Sequence, residues 1–173
     1  MCGINGIIGF SNEHDARERV QRMNDCLAHR GPDAEGLWSN HFAALGHRRL
    51  SIIDTSAAGN QPFFSEDKKL IIVFNGEIYN YIELKKELES EFEFKTGSDT
   101  EVMLVAYQKW GIACIEHFLG MFAFALWDEN EQAVYLVRDR LGIKPIYYSD
   151  TSSGIVFSSE IRLCCNRNWW NAS

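Results

Sequence analysis

The 173-residue chain has no excess of positive charge. Its 17 Lys and Arg face 24 Asp and Glu, a formal charge of −7, and the basic residues are scattered. Without a basic stripe nothing is available to neutralise a row of phosphates, so nucleic acid is not an expected partner. No apolar run suits a membrane: the longest, Phe118 to Trp127, is broken by Gly120 and is about half the length of a spanning helix. The segment Met1-Cys2-Gly3-Ile4-Asn5 has no basic n-region and leads into no cleavage-like stretch. A cytoplasmic protein without membrane contact is expected. The five cysteines are odd in number and include no Cys-x-x-Cys pair, and none of the five histidines (14, 29, 41, 47 and 117) pair at i, i+4. These absences argue against a disulfide framework and against a zinc site. Neither G-x-x-x-x-G-K-[ST] nor G-x-G-x-x-G occurs, so the chain has no nucleotide loop of its own. There is no internal repeat.

What is present is the balance of one globular domain, 46% apolar and 24% charged, long enough to bury roughly 70% of its unfolded surface. Ile4 to Phe10 reads as a buried strand. Asp15 to His29 carries Val20, Met23 and Leu27 on one helical face, and Pro32 ends that helix. Strands are expected at Glu35–Trp38 and Phe42–Arg48, around Ser39-Asn40-His41, then a loop from Asp54 to Ser65. Leu70 to Phe74 is a continuous apolar strand that the turn-forming pair Asn75-Gly76 is expected to end. Two helices follow, Asn80 to Glu91 and Ser98 to Trp110, each opened by a capping box (Asn80 with Glu83, Ser98 with Glu101). Strands at Met121–Asp128, Ala133–Asp139, Ile146–Ser149 and Ile155–Ser158 complete the pattern. Strands and helices in separate blocks indicate α+β, with mostly antiparallel sheets packed on each other and covered by helices. Cys164 to Ser173 shows neither period.

Several residues could carry chemistry, and each also has a plainer explanation. Cys2 would acquire its own general base if Met1 were removed, because a free α-amine has a pKa of about 7.7–8 and can take and return the thiol proton. It could equally be a small residue after the initiator. Asn75 and Gly76 can aim an amide and a backbone N–H at one spot, as an oxyanion hole requires, or form a hairpin turn. The run into a helix after Ile78-Tyr79-Asn80 weakens the hairpin reading. Arg49, ending an apolar strand, could grip a carboxylate bidentately or form a surface ion pair. Asp99 could bind an amine or stabilise the first turn of its helix. Arg30-Gly31-Pro32-Asp33 and Arg138-Asp139-Arg140-Leu141-Gly142 are given loop-ordering roles.

Together the motifs Met1-Cys2-Gly3-Ile4, His29-Arg30-Gly31-Pro32-Asp33, Gly46-His47-Arg48-Arg49-Leu50-Ser51-Ile52-Ile53-Asp54, Asn60-Gln61-Pro62, Phe74-Asn75-Gly76-Glu77-Ile78-Tyr79-Asn80, Thr96-Gly97-Ser98-Asp99-Thr100-Glu101, Gly120-Met121-Phe122-Ala123-Phe124-Ala125 and Arg138-Asp139-Arg140-Leu141-Gly142-Ile143-Lys144-Pro145 form a series. In that order the series resembles the class II glutamine amidotransferase domain of glutamine-hydrolysing asparagine synthetases, from Cys2 to about Ile161. The resemblance implies an N-terminal-nucleophile hydrolase fold, a four-layer αββα sandwich of two mostly antiparallel sheets. It implies Cys2 as nucleophile with its α-amine as base, and Asn75 with the Gly76 N–H as oxyanion hole. Arg49 would bind the α-carboxylate of L-glutamine, Glu77 and Asp99 its α-amino group, and the backbone near Leu50 and Ile52 would add contacts to that amine. No metal or cofactor is implied within the chain. ATP and Mg belong to the synthetase domain of the family, whose Ser-Gly-Gly-x-Asp-Ser type loop does not occur here. The expected organisation is a glutaminase domain over 2–162 with an irregular tail over 163–173. The expected partners are glutamine and either a separate synthetase subunit or a second copy. Two other readings stand beside it: a non-catalytic remnant that binds glutamine or a partner subunit, and a sugar- or phosphoribosyl-aminating amidotransferase.

Overall fold

Alternation of side chains along the strands decides the architecture. The structure, a computed structural model, describes residues 1–52, 56–152 and 154–165. Among the described residues nine strands make two sheets. The first sheet contains β1 (Gly3–Ile8), β2 (Ala34–Ser39), β3 (Ala43–Arg49), β8 (Tyr147–Thr151) and β9 (Gly154–Ser158), in the order β2-β3-β1-β9-β8. The second contains β4 (Phe63–Phe64), β5 (Leu70–Ile78), β6 (Gly120–Asp128) and β7 (Ala133–Arg138), in chain order. All of these pairings are antiparallel.

One face of each strand looks at the other sheet and one looks at helices, as the period of two requires. Ile4 and Ile8 of β1, Ala43 and Leu45 of β3, Ile71 and Val73 of β5, and Ala123, Ala125 and Trp127 of β6 share the layer between the sheets. Ile7 and Ala44 point the opposite way, against Val20, Met23 and Leu27 in and just after helix α1 (Glu13–Cys26). Ile72, Phe74, Phe122, Phe124 and Leu126 instead meet α2 (Tyr81–Leu88) and α3 (Asp99–Trp110). The result is helix, sheet, sheet, helix, the αββα sandwich. Both faces of β5 and β6 are apolar because both are covered.

Local chemistry sets most boundaries. Asn12 caps α1 by accepting from the His14 and Asp15 N–H groups. The β2–β3 turn is held by the Asn40 side chain, which accepts from Phe42 N and Ala43 N. Ser98 caps α3 by accepting from Thr100 N, but Glu101 reaches back beyond the cap, to Lys95 N, Thr96 N and Thr96 Oγ1.

Four expectations differ from the structure. Asn75-Gly76 does not end its strand: β5 continues to Ile78, with Asn75 opposite Ala123 and Gly76 opposite Phe122. The glycine is needed for closeness and not for a turn, since a Cβ there would lie 2.3 Å from the Met121 carbonyl oxygen. Asn80 does not cap α2 with its side chain; its amide donates to His117 O and accepts from Leu119 N, tying the end of β5 to the start of β6. The expected loop from Asp54 to Ser65 contains β4, and its first two residues lie outside the described residues. Helix α4 (Ile161–Cys165) crosses the expected boundary at 162/163 and buries Leu163 and Cys164, while 166–173 lie outside the described residues.

Candidate active site

Where the apolar layer between the sheets reaches its edge, polar residues take over the same alternating positions. On β3, Ala43 and Leu45 are followed two and four residues on by His47 and Arg49. On β5, Ile71 and Val73 are followed by Asn75 and Glu77. Cys2 continues the series of Ile4 and Ile8 from β1, so it faces the second sheet. Met121 does the same from β6. These groups converge on one cleft lined by all eight residues singled out in the sequence: Cys2, Arg49, Leu50, Ile52, Asn75, Gly76, Glu77 and Asp99. Gln61, Thr100, Met121 and Lys144 line it as well, and Met1 lies in it.

The Cys2 thiol sits against the backbone of Leu50. Its sulfur is 3.4 Å from Leu50 N and 3.6 Å from Leu50 O. The backbone of Leu50 was expected near a ligand amine; in the structure both its polar groups are turned to the thiol. Arg30 Nε donates to Cys2 O at 3.0 Å, and Arg30 Nη2 is buried without a partner among the described residues. Asp33 accepts from Ser51 N through its side chain, and its own N–H donates to Arg49 O. The Arg30-to-Asp33 segment thus braces both Cys2 and the Arg49–Ser51 backbone. A Cβ at Gly31 would lie 2.3–2.5 Å from the Arg48 carbonyl and Arg49 N, which is how close the two segments pass.

The second sheet contributes donors to the same cleft. Asn75 is 1% exposed, and its Nδ2 is buried with no hydrogen-bond partner among the described residues. Leaving such a group unpaired costs about 1–3 kcal/mol, a cost that a ligand oxygen would offset. The Gly76 N–H follows from strand geometry. N–H groups two residues apart on a strand point the same way. Phe74 N donates to Gln61 Oε1 at 2.6 Å and Ile78 N to Asp99 Oδ2 at 3.1 Å, away from β6. Gly76 N lies between them and points to the same side. Gln61, whose Nε2 also donates to Thr100 Oγ1, therefore ties β5 to α3 beside the cleft.

The charges are arranged in two groups. Arg49 is 6% exposed, and its Nη1 donates to Ser56 O and Asn60 Oδ1, both at 2.7 Å, which orients the guanidinium. Glu77 and Asp99 line the other side. Burial pushes the Asp99 carboxyl up to about 6, against the bonds from Ile78 and Thr100 and with the help of the neighbouring Glu77 charge. His47 is wholly buried, and burial lowers it to about 4. It is neutral at pH 7, and its Nε2–H donates to Phe74 O at 3.1 Å, joining the two sheets beside the cleft.

The arrangement suits attack by a thiol on a carbonyl whose oxygen is received by Asn75 and Gly76, in a molecule with a negative and a positive end. The sequence reading missed Gln61, Met121 and Lys144 as members of this cleft, and His47 as its buried neighbour. For His47 the signal was available: it lies two residues before Arg49, hence on the same face of β3. Nothing local points to Lys144, which reaches the cleft only because the segment after β7 folds back over it.

A family model described as a glutamine amidotransferase domain matches residues 1–172. Asparagine synthetase (glutamine-hydrolyzing) 1 of Bacillus subtilis is 43% identical over 167 residues, covering 92% of this chain and 26% of that protein. Amidase chry2 of Gibberella zeae is 44% identical over 174 residues, covering 94% of this chain and 26% of its own length. Among solved structures, a glutamine phosphoribosylpyrophosphate amidotransferase from Bacillus subtilis, complexed with ADP and GMP, matches with a TM-score of 0.78 at 23% identity. That match covers 94% of this chain and 42% of the other, and it speaks to the fold. The chain spans about a quarter of the length of these curated relatives.

Proposed function

The chain belongs to the glutamine amidotransferase domain family, and we propose that it hydrolyses L-glutamine to glutamate and ammonia through a thioester on Cys2. The observation that carries this reading is the presence in one cleft of the Cys2 thiol and a buried Asn75 amide nitrogen with no hydrogen-bond partner among the described residues. Removal of Met1 gives Cys2 a free α-amine. That amine takes the thiol proton as Sγ attacks the side-chain amide carbon of glutamine. Asn75 Nδ2 and Gly76 N receive the oxyanion. Collapse of the adduct returns the proton to the leaving nitrogen, and ammonia departs. Water, deprotonated by the same amine, then attacks the thioester, and glutamate and the free thiol are regenerated. Arg49 holds the substrate α-carboxylate, and Glu77 and Asp99 hold its α-ammonium, which is why a free amino acid and not a protein amide is the substrate. These steps call for no cofactor in this chain.

The ammonia acceptor is a second part of the proposal. Relatives named as asparagine synthetases are several times longer than this chain, and ATP and Mg would serve their additional portion. Exposed apolar side chains suit docking of such a portion, present in the same polypeptide or as a separate subunit: Ile52, which lines the cleft, is 71% exposed, and Leu141 and Ile143, just before Lys144 in the chain, are 85% and 54% exposed. A reducing, cytoplasmic setting suits a thiol nucleophile. The five cysteines are unpaired, and no helix among the described residues is long and apolar enough to cross a membrane.

Intact mass and glutamate release, measured on one purified sample, test the reading. Loss of the Met1 mass together with glutamate production that Cys2→Ala abolishes is the expected result. Full activity with Met1 retained would overturn the role of the amine. Processed but inactive protein would favour a glutamine-binding subunit.

A further inference from the structure

Lys144 is 6% exposed, and its ammonium has a poor partner. Among the described residues its Nζ makes one hydrogen bond, of 3.2 Å, to the thioether sulfur of Met1, and no carboxylate pairs with it. Sulfur is a weak acceptor, and burying an ammonium without a strong partner is costly. Yet the backbone around Lys144 is held on both sides. Its N–H donates to Asp139 Oδ2 at 3.0 Å and its carbonyl accepts from Arg138 Nε at 3.0 Å. Asp139 also accepts from Phe122 N and Ile143 N. The segment after β7 is thus anchored to β6 in a way that directs this one cation to the amino end of the chain.

Met1 is the residue bonded to the Cys2 nitrogen, so its removal takes away the sulfur and leaves a new α-amine, able to accept a hydrogen bond, in the cleft that Lys144 lines. We infer that Lys144 is a positioning residue for the Cys2 amine: it donates to the lone pair, directly or through one water, and so orients the amine and holds it uncharged and basic. This rests on the reading of the Cys2 amine as general base. A neutral amine accepts a hydrogen bond and an ammonium does not, and a second positive charge nearby further disfavours the protonated form.

The other charges around the amine are already partnered or sit in opposed sets. Arg30, from the segment after α1, holds Cys2 O and lies 3.6 Å from Glu160. Arg49, at the end of β3, is bonded to Ser56 O and Asn60 Oδ1. Glu77 on β5 and Asp99 on α3 are negative and act in the opposite sense on the amine. Asp139 spends its oxygens on three backbone N–H groups. Lys144 is the cation whose only side-chain partner among the described residues leaves with Met1.

Two measurements test this, on protein shown by intact mass to have lost Met1. The first is the pH dependence of kcat/KM for glutamine in wild type, Lys144→Met and Lys144→Arg. The acidic limb is expected about one pH unit higher in Lys144→Met, the scale of one like charge a few ångströms away in a solvated cleft. Activity should recover above that limb, and Lys144→Arg should keep the wild-type limb. The second needs no turnover: competitive acetylation of the α-amine in the Cys2→Ala background, with Lys144 intact or as Lys144→Met. Its midpoint should rise by the same amount when the charge is removed. Unmoved midpoints in a folded Lys144→Met protein overturn the inference, as does a uniform loss of activity at every pH. Absence of glutamine turnover in wild type with a shifted acetylation midpoint would instead overturn the hydrolase reading and leave the role of Lys144 standing.

Discussion

The two ends of the β5–β6 pair hold polar clusters of similar burial and opposite character. The pair runs from Leu70 opposite Asp128 to Ile78 opposite Gly120. At the Asp128 end, Tyr107 OH donates to Asp128 Oδ2 at 2.8 Å, and Asn130 N and Glu131 N donate to Oδ1 at 2.8 and 3.2 Å. At the Gly120 end, Asn75 Nδ2 has no partner, Lys144 rests on a thioether, and Asp99 is held with its carboxyl pushed up to about 6. The first cluster is closed on itself and fastens a strand end. The second is incomplete without a further molecule. Burial of polar groups therefore does not by itself mark a site; unmet hydrogen-bonding capacity does.

Substitutions should separate the two ends. Arg49→Ala is expected to weaken glutamine binding by about 2–5 kcal/mol, since it leaves the substrate carboxylate unpaired. It should also lower stability, because Ser56 O and Asn60 Oδ1 lose their donor. Steady-state kinetics beside a denaturant melt checks both, and an unchanged KM removes Arg49 from substrate binding. Asn75→Ala should lower kcat by roughly 10²–10³ with little change in KM. Its stability should stay near wild type, for the amide nitrogen it deletes was unpaired. A wild-type kcat would end the oxyanion assignment, and a large loss of stability would break the comparison itself.

How much of this was readable beforehand depends on how local the interactions are. The αββα layering follows from alternation along β5 and β6, and the cleft residues are the polar continuations of that alternation. Asn75-Gly76 misled because the pair favours turns in isolation, whereas here the pairing with Ala123 and Phe122 overrides that preference. The Asn80–Glu83 spacing fits a capping box, but the Asn80 amide is engaged by His117 and Leu119, 37 and 39 residues away. Gln61 and Lys144 escaped notice for the same reason, since their partners are distant in sequence. Roles that depend on long-range partners are written nowhere in the surrounding ten residues.

The pH dependence of stability sharpens the comparison next, because Asp99 in the cleft and His47 beside it act in opposite senses. His47 is lowered from 6.5 to about 4. Its contribution is fully present above pH 6.5 and is lost as the pH falls towards 4. Asp99 is raised from 3.8 to about 6. Its contribution is fully present below pH 3.8 and is lost as the pH rises through 6. Each corresponds to about 3 kcal/mol at most, so between pH 4 and 6 the two nearly cancel. Urea melts of Asp99→Asn should lose stability on acidification across that range, and those of His47→Gln should gain it. Parallel profiles for wild type and both variants would show that neither group titrates as its burial requires.

The smallest effect is expected at the closed end. Tyr107→Phe removes the hydroxyl that donates to Asp128 Oδ2 and leaves a carboxylate oxygen short of a donor in a residue that is 6% exposed. A hydrogen bond to a charged group contributes about 1.5–3 kcal/mol, so the melting temperature should fall by several degrees. Asp128 keeps its two backbone donors, and β6 stays paired with β5 from Gly120 to Trp127 and with β7 from Ala123 to Trp127. The geometry at Asn75 and Gly76 is then undisturbed, and kcat/KM for glutamine should stay within about twofold of wild type, about 0.4 kcal/mol against the ~1.4 kcal/mol of a tenfold loss. A larger fall in kcat would mean that the strand transmits strain along its whole length, and the two ends would have to be treated as one coupled unit.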